Sequence, residues 1–270
     1  MKKAFTLIEL LVVIAIIALL MAILMPTLTR VKEQARIVVC QAELKQWGAA
    51  FSMYTDSNGG YFFGVDKAGW GWGWIGPMKK LLGTDFNKSW CCPSATLPVY
   101  LIDTDGRQIP GPGLRKRVYA AWGKFSKETS ADCGSDVTEA YGSYGTNFWT
   151  TNIQPSMGWS SEENFWRTPN VKNAASVPLF LDSLHLTAAP RETDSVPEYD
   201  GGWDWGVTGY MGAFCINRHR NGTIQSIFMD FSVRPVGLKE LWKLKWHKNY
   251  NSKAFDPVWP DWMKPFKNNP

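Results

Sequence analysis

The first 25 positions hold almost nothing but apolar side chains. Between Phe5 and Met25 only Thr6 and Glu9 are polar. As a helix rising about 1.5 Å per residue, this segment spans about 31 Å, the thickness of the hydrocarbon layer of a bilayer. Its Phe, Leu, Ile and Val side chains favour insertion by roughly −4 to −8 kcal/mol, against about 3 kcal/mol for a carboxylate at the centre and less near an end. The segment therefore inserts with Glu9 in place, yet would insert better without it, which points to a use for the charge. Lys2 and Lys3 precede the run, so the N-terminus is expected to stay cytoplasmic and the rest to be exported. A cleaved secretory signal would show a shorter apolar core followed by small residues in an A-x-A pattern. Here Pro26 follows instead, and a second helical pattern begins. Residues 5–25 are therefore read as a retained transmembrane helix.

Beyond Pro26 the pattern becomes one-sided. Ile37, Cys40, Leu44, Trp47, Phe51 and Tyr54 recur at steps of three and four, while Arg30, Lys32, Glu33, Arg36, Glu43 and Lys45 fall mostly elsewhere. That is one apolar face of a helix, and Asp56-Ser57-Asn58-Gly59-Gly60 is its stop signal. The spacing predicts a helix from about Phe5 to about Tyr54. Residues 26–56 form its amphipathic continuation, and Pro26, lacking a donor N–H, should kink or locally melt it.

From residue 57 to 270 the period shifts towards strands. Val118–Phe125, Val177–Asp182, Tyr210–Asn217, Ile224–Phe228 and Ser232–Pro235 read as strands separated by Gly/Pro/Asn-rich stretches, with a helix from Leu238 to about His247. Residues 103–113 carry no periodicity. The expected class is α+β: a long N-terminal helix whose apolar face packs on a small antiparallel sheet with long decorated loops.

Composition adds three constraints. The net charge is +5 with both signs mixed along the chain, so no basic stripe marks a nucleic-acid partner; the nearest approach, residues 239–248, reads as a solvated helix face. Fifteen tryptophans are the compositional outlier. Trp70, Trp72, Trp74, Trp203 and Trp205 alternate with other residues in two short runs, which puts each run on one face of a strand. Such a face is a cross-strand aromatic core or, as the functional alternative, a stacking platform for glycans. Third, the five cysteines form no CxxC pair and there are three histidines, so no structural zinc is expected. Export implies an oxidising compartment, where Cys133 pairs with Cys92 or Cys91, or with Cys215 as an alternative partner.

Other chemistry is sparse. There is no G-x-S-x-G elbow, H-E-x-x-H helix or phosphate-binding loop. His219 and Asp230, with Asp182 or His185, are candidates for a metal or acid–base group and hence for a membrane-anchored hydrolase. The structural reading, which is preferred, has His219 bonded to backbone and Asp230 capping a turn. Oxygen-rich stretches at Asp56–Gly59, at residues 103–106 and at Asp194, Glu198, Asp200 and Asp204 could hold calcium, although none is a full EF-hand loop and Asx turns explain the first two. No other cofactor is expected.

Lys3-Ala4-Phe5-Thr6-Leu7-Ile8-Glu9-Leu10 resembles the prepilin signal of type IV pilins and type II secretion pseudopilins. The resemblance implies a leader at 1–4, cleavage between Ala4 and Phe5 by a prepilin peptidase, and N-methylation of Phe5. Glu9 then becomes the fifth mature residue. Ala4 stands where that family usually has Gly. The physical use of Glu9 follows: cleavage creates an ammonium at Phe5, and a carboxylate in lipid favours a cationic partner. With helices staggered along a fibre, Glu9 of one subunit can face the Phe5 amine of its neighbour. The C-terminal half resembles a bacterial branch of pilin-like proteins with a motif of His, nine residues and Asp-Gly. Here His219 and Asp230 have ten residues between them and Phe231 replaces Gly. Trp90 to Ser94 and Leu44 to Tyr61 also resemble that branch. The implied picture is a non-catalytic pilin-like subunit of a type II secretion pseudopilus or type IV pilus-like filament. It sits in the bacterial inner membrane with its globular domain periplasmic or extracellular. Its partners would be like subunits, the peptidase, an inner-membrane assembly platform and lipid; the alternative is a minor pilin that binds glycan.

Overall fold

The computed structural model describes residues 6–64, 74–83, 89–102, 108–110, 117–126, 141–153, 162–204, 206–254 and 256–267. The chain divides into two compact units, Met1–Val38 and Val39–Pro270.

Helix α1 is Leu7–Ser57, close to the span the periodicity predicts. It starts on a capping box. Thr6 accepts the first helical bond from the Leu10 N–H at 3.2 Å, its hydroxyl accepts from the Glu9 N–H at 3.3 Å, and the Glu9 carboxylate accepts from the Thr6 N–H at 2.8 Å. Pro26 does not melt the helix, which is unbroken across it. Pro26 offers no N–H to the carbonyl four residues back, and the hydroxyls of Thr27 and Thr29 bond the nearby carbonyls of Leu24 and Met25 at 2.8 and 3.0 Å. In the first unit the large apolar side chains from Leu7 to Val31 are exposed.

In the second unit α1 presents Cys40, Leu44, Trp47, Gly48 and Phe51 to the interior, all buried. The Trp47 and Phe51 rings lie 5.0 and 5.3 Å from that of Phe180. Gly48 fits beneath a β-hairpin: a Cβ there would come 3.3 Å from the Phe231 carbonyl oxygen, so the glycine sets how closely helix and sheet approach. A short second helix, α2 at Ile75–Leu82, follows.

Two sheets complete this unit. The first orders β2 (Gln108–Pro110), β1 (Leu97–Ile102), β3 (Ala120–Ser126) and β4 (Tyr141–Gly142), with β1 and β3 parallel. The second orders β7 (Thr187–Ala188), β5 (Tyr144–Asn147), β6 (Pro178–Asp182), β8 (Thr223–Phe228) and β9 (Val233–Gly237), antiparallel except for β5 with β7. The architecture is the expected α+β, but the strands form two sheets with a parallel pair in each. Strand β6 is buried at all five positions, which explains its unbroken apolar run Leu179-Phe180-Leu181.

Two expected elements come out differently. Tyr210–Asn217 is not a strand: Met211–Ala213 is a 3-10 turn, and Ala213, Phe214 and Cys215 donate to carbonyls three or four residues back. Its apolar run is buried, so burial rather than extended pairing accounts for the hydrophobicity. The helix expected over Leu238–His247 is a 3-10 helix ending at Lys243. The Lys245 N–H leaves the helical pattern to bond the Ser176 carbonyl at 3.1 Å, while Trp246 is fully buried.

The tryptophans have a common architectural role. The indole N–H of Trp47, Trp74, Trp122, Trp149, Trp166, Trp203, Trp242, Trp246 and Trp262 each donates to a backbone carbonyl at 2.6–3.1 Å. Irregular chain carries carbonyls that no sheet or helix satisfies. A ring that buries a large apolar area and donates one hydrogen bond fastens such chain to the core.

Candidate functional site

Among the described residues, two places carry chemistry. The first is the start of α1. Glu9 lies in the first turn, and one of its oxygens, Oε2, takes both the backbone N–H and the hydroxyl of Thr6 at 2.8 Å. The carboxylate is thus tied to the helix terminus that favours negative charge. Thr6 was not singled out by the sequence reading, although T-x-x-E ahead of an apolar run is a capping-box signature. Ala4 and Phe5 lie outside the described residues.

The second is a buried polar cluster where α1, the loop before β1, the end of β6 and the turn before β8 meet. Cys40, Cys92, Asp182 and His219 are all buried, and one ligating atom from each lies within 4.8 Å of the others. His219 Nε2 is 3.0 Å from Asp182 Oδ2 and 3.7 Å from Cys92 Sγ, and Cys40 Sγ is 4.0 Å from Asp182 Oδ2. Asp182 Oδ2 also accepts the Gln225 N–H at 2.9 Å.

Arg218 completes the group. It is fully buried, and its Nη1 pairs with Asp182 Oδ1 at 3.1 Å. Its other bonds go to the carbonyls of Val118, Ala120, Ser143 and Ser183 at 2.7–3.0 Å. All five guanidinium N–H groups are therefore used, and the bonds tie β3 of one sheet to β6 of the other. Breaking such a pair from one side leaves an uncompensated interior charge.

The electrostatics follow from this crowding. Burial alone would lower the His219 pKa, but the Asp182 carboxylate beside it raises it to about 10. Burial opposes ionisation of Cys92 as well, yet the Cys40 hydrogen bond and the His219 ring bring its thiol down to about 6. Burial pushes the Cys40 thiol up. Burial disfavours the Asp182 anion too, and His219 and Arg218 outweigh it, so its carboxyl lies below the usual range. On the rim, burial lifts Glu43 from 4.5 to about 8, against the opposing bond from the Tyr144 hydroxyl at 2.7 Å. The cluster is sealed by protein, so it suits holding a charge or an ion rather than turning over a substrate.

The sequence candidates divide. Asp182 and His219 converge. Asp230 does not: it is exposed, and its Oδ1 accepts from the Ser232 N–H and hydroxyl at 3.0 and 2.6 Å in an Asx turn. The six residues of β8 separate His219 from Asp230 by about 20 Å of extended chain. Asp230 thus caps a turn as the structural reading expects, whereas His219 bonds a carboxylate rather than backbone. His185 Nδ1 lies 2.8 Å from the Thr187 carbonyl, outside the cluster.

Of the two neighbours expected as disulfide candidates, Cys91 is the disulfide-bonded one, and Cys92 is a free thiol, as are Cys40 and Cys215. Cys133 lies outside the described residues. Trp74 is 1% exposed and stacks on Trp90 at 5.4 Å, so it offers no face to a glycan. Trp203 is half-buried beside the His185 ring at 5.3 Å, and Trp70, Trp72 and Trp205 lie outside the described residues. In the acidic loop, Asp194 Oδ2 accepts the backbone N–H groups of Arg191, Tyr210 and Met211 at 2.9–3.0 Å, and Asp200 accepts that of Asn217 at 2.8 Å. Residues 103–106 lie outside the described residues.

Residues 1–25 match the family model described as the prokaryotic N-terminal methylation motif. The chain carries a prokaryotic N-terminal methylation signal. This motif and the long apolar helix behind it fit a type IV pilin-like or pseudopilin chain, and together they support a membrane-inserted filament subunit. The motif implies processing by a prepilin peptidase and assembly with other pilin subunits, and it indicates a structural subunit rather than an enzyme. No curated protein and no solved structure matches the chain.

Proposed function

We propose that this chain is a structural subunit of a type II secretion pseudopilus or type IV pilus-like filament. It is cut between Ala4 and Phe5, methylated at Phe5 and held in the inner membrane by residues 5–25 until it is assembled. The observation that carries the reading is the methylation motif joined to an apolar helix whose side chains the chain itself leaves exposed. Such a surface needs lipid before assembly and the helices of like subunits afterwards. The globular unit would lie outside the membrane, and an inner-membrane platform would drive assembly.

Glu9 supplies the register. Its carboxylate already caps its own helix through Thr6, and the new ammonium at a neighbour's Phe5 offers the cationic partner. Mass spectrometry of the native N-terminus tests the processing step. A chain beginning at N-methyl-Phe5 is expected, and an intact Met1 would reduce the segment to a plain anchor. Substitution separates the two roles of Glu9. Glu9→Gln keeps the capping box, in which Gln serves as well as Glu, but removes the charge. Filament yield from Glu9→Gln is expected to fall about as far as from Glu9→Ala; assembly at the wild-type level would leave Glu9 as a helix cap only.

A further inference from the structure

The buried cluster plays no part in the proposed filament role, and its four side chains come from chain positions too far apart for any local motif. The geometry points to a structural binding site for a zinc-class divalent cation, with Cys40 and Cys92 Sγ, His219 Nε2 and Asp182 Oδ2 as its ligands. In tetrahedral zinc sites the metal lies about 2.3 Å from sulfur and about 2.0 Å from nitrogen or oxygen. Ligand atoms are then about 3.3 Å apart for nitrogen and oxygen, and about 3.6 Å apart when one of them is sulfur. The corresponding separations here are 3.0 Å between Asp182 and His219, 3.7 Å between His219 and Cys92, and 4.0 Å between Cys40 and Asp182.

The surroundings are those of a held ligand set. Asp182 is fixed through its other oxygen by Arg218. The Ser94 N–H points at Cys92 Sγ at 3.4 Å, giving that sulfur a donor suited to a thiolate, and the Tyr144 hydroxyl, which bonds Glu43 at 2.7 Å, lies 3.1 Å from Cys40 Sγ. Charge also closes. Two thiolates and the Asp182 carboxylate carry three negative charges, and a divalent cation with the Arg218 guanidinium carries three positive ones. Four protein ligands in a sealed interior leave no open position for water or substrate, so the site is structural. Its ligands fasten residue 40 of α1 to the loop before β1, to β6 and to the turn before β8. A simple dithiol pair would account for the two sulfurs but not for a carboxylate and an imidazole converging on the same point.

The test uses the full chain in detergent, unfolded under reducing conditions and refolded with Zn²⁺ or Co²⁺ as the probe. Wild type is expected to retain about one metal per chain after gel filtration. The cobalt form should show thiolate charge-transfer absorption and the strong red bands of tetrahedral coordination. Cys92→Ser and His219→Ala should retain less than about a tenth as much, and Asp230→Asn should match wild type. Because a ligand variant can also fail to fold, wild type refolded with and without Zn²⁺ is compared directly; a higher Tm with metal is expected. The proposal is overturned if refolded wild type holds less than about a tenth of an equivalent, or if Cys92→Ser binds as wild type does. A Cys40–Cys92 disulfide in the native protein would overturn it as well. None of these outcomes depends on filament assembly.

Discussion

The two units of this chain solve opposite problems with the same kind of side chain. In the first, Leu, Ile and Val surround α1 and remain exposed, from Leu7 at 77% to Leu28 at 68%. In the second, Trp47, Phe51 and Phe180 are exposed by 1% or less. The contrast teaches that apolar content does not locate a core. A helix that is apolar all round has no polar face to turn to water, so its partner must be lipid or another helix. An apolar stripe three and four residues apart has a second face to leave outside, and the chain covers the stripe itself.

The comparison predicts where a substitution will hurt. The largest effect is expected at Asp182: Asp182→Ala strands Arg218 without its carboxylate, and denaturant unfolding of the globular unit should show a loss of about 5 kcal/mol. Trp74→Ala, which empties a packed aromatic site and removes one of the two hydrogen bonds to the Leu186 carbonyl, should cost about 3–4 kcal/mol by the same measurement. A value under about 1 kcal/mol would mean that the ring is not core and would reopen the glycan reading.

A pH effect comes next. Glu43 holds its proton up to about pH 8 in the folded chain but only to about 4.5 in the unfolded one. Between these values the folded state binds the extra proton, so stability falls as pH rises. The contribution is fully present below about pH 4.5 and is lost through about pH 8. Because water reaches part of the side chain, the decline is about 2 kcal/mol rather than the full value of the shift. Glu43→Gln should remove this slope; a slope unchanged in Glu43→Gln would place it elsewhere. The smallest effect is expected in the first unit. Leu20→Ala should change the Tm of the detergent-solubilised chain by no more than the equivalent of about 0.5 kcal/mol, while a loss comparable to that of Trp74→Ala would show that α1 buries this residue within its own chain.

Much of the fold was legible, for identifiable reasons. The span of α1 follows from its periodicity and from the Asp-Ser-Asn-Gly-Gly stop. Strands β3, β6, β8 and β9 fall where runs of strand-forming residues predict them. The failures share one cause. The apolar residues of Met211 to Ile216 and Leu238, Leu241, Trp242, Leu244 and Trp246 are buried, and burial does not distinguish an extended strand or an α-helix from a tight turn or a short 3-10 helix. The candidate site failed differently. His219 was named with Asp230, Asp182 and His185, and of these only Asp182 lies beside it, while Asp230 sits at the far end of β8. Cys40 read as one residue of an apolar helix face, Arg218 was given no role, and Cys92 or its neighbour Cys91 read as half of a disulfide.

The sequence by itself determined the retained apolar helix, the cleavage and methylation signal, and the amphipathic stripe that seats α1. Each is encoded within one or two dozen consecutive residues, where helical spacing and side-chain solvation act directly. Only the tertiary structure decided that Cys40, Cys92, Asp182 and His219 meet, that Arg218 joins two sheets, and that tryptophan indoles fasten the irregular chain. These depend on which strands pair and on how closely Gly48 lets the helix approach. Such long-range contacts are settled by packing of the whole unit and leave no spacing to read.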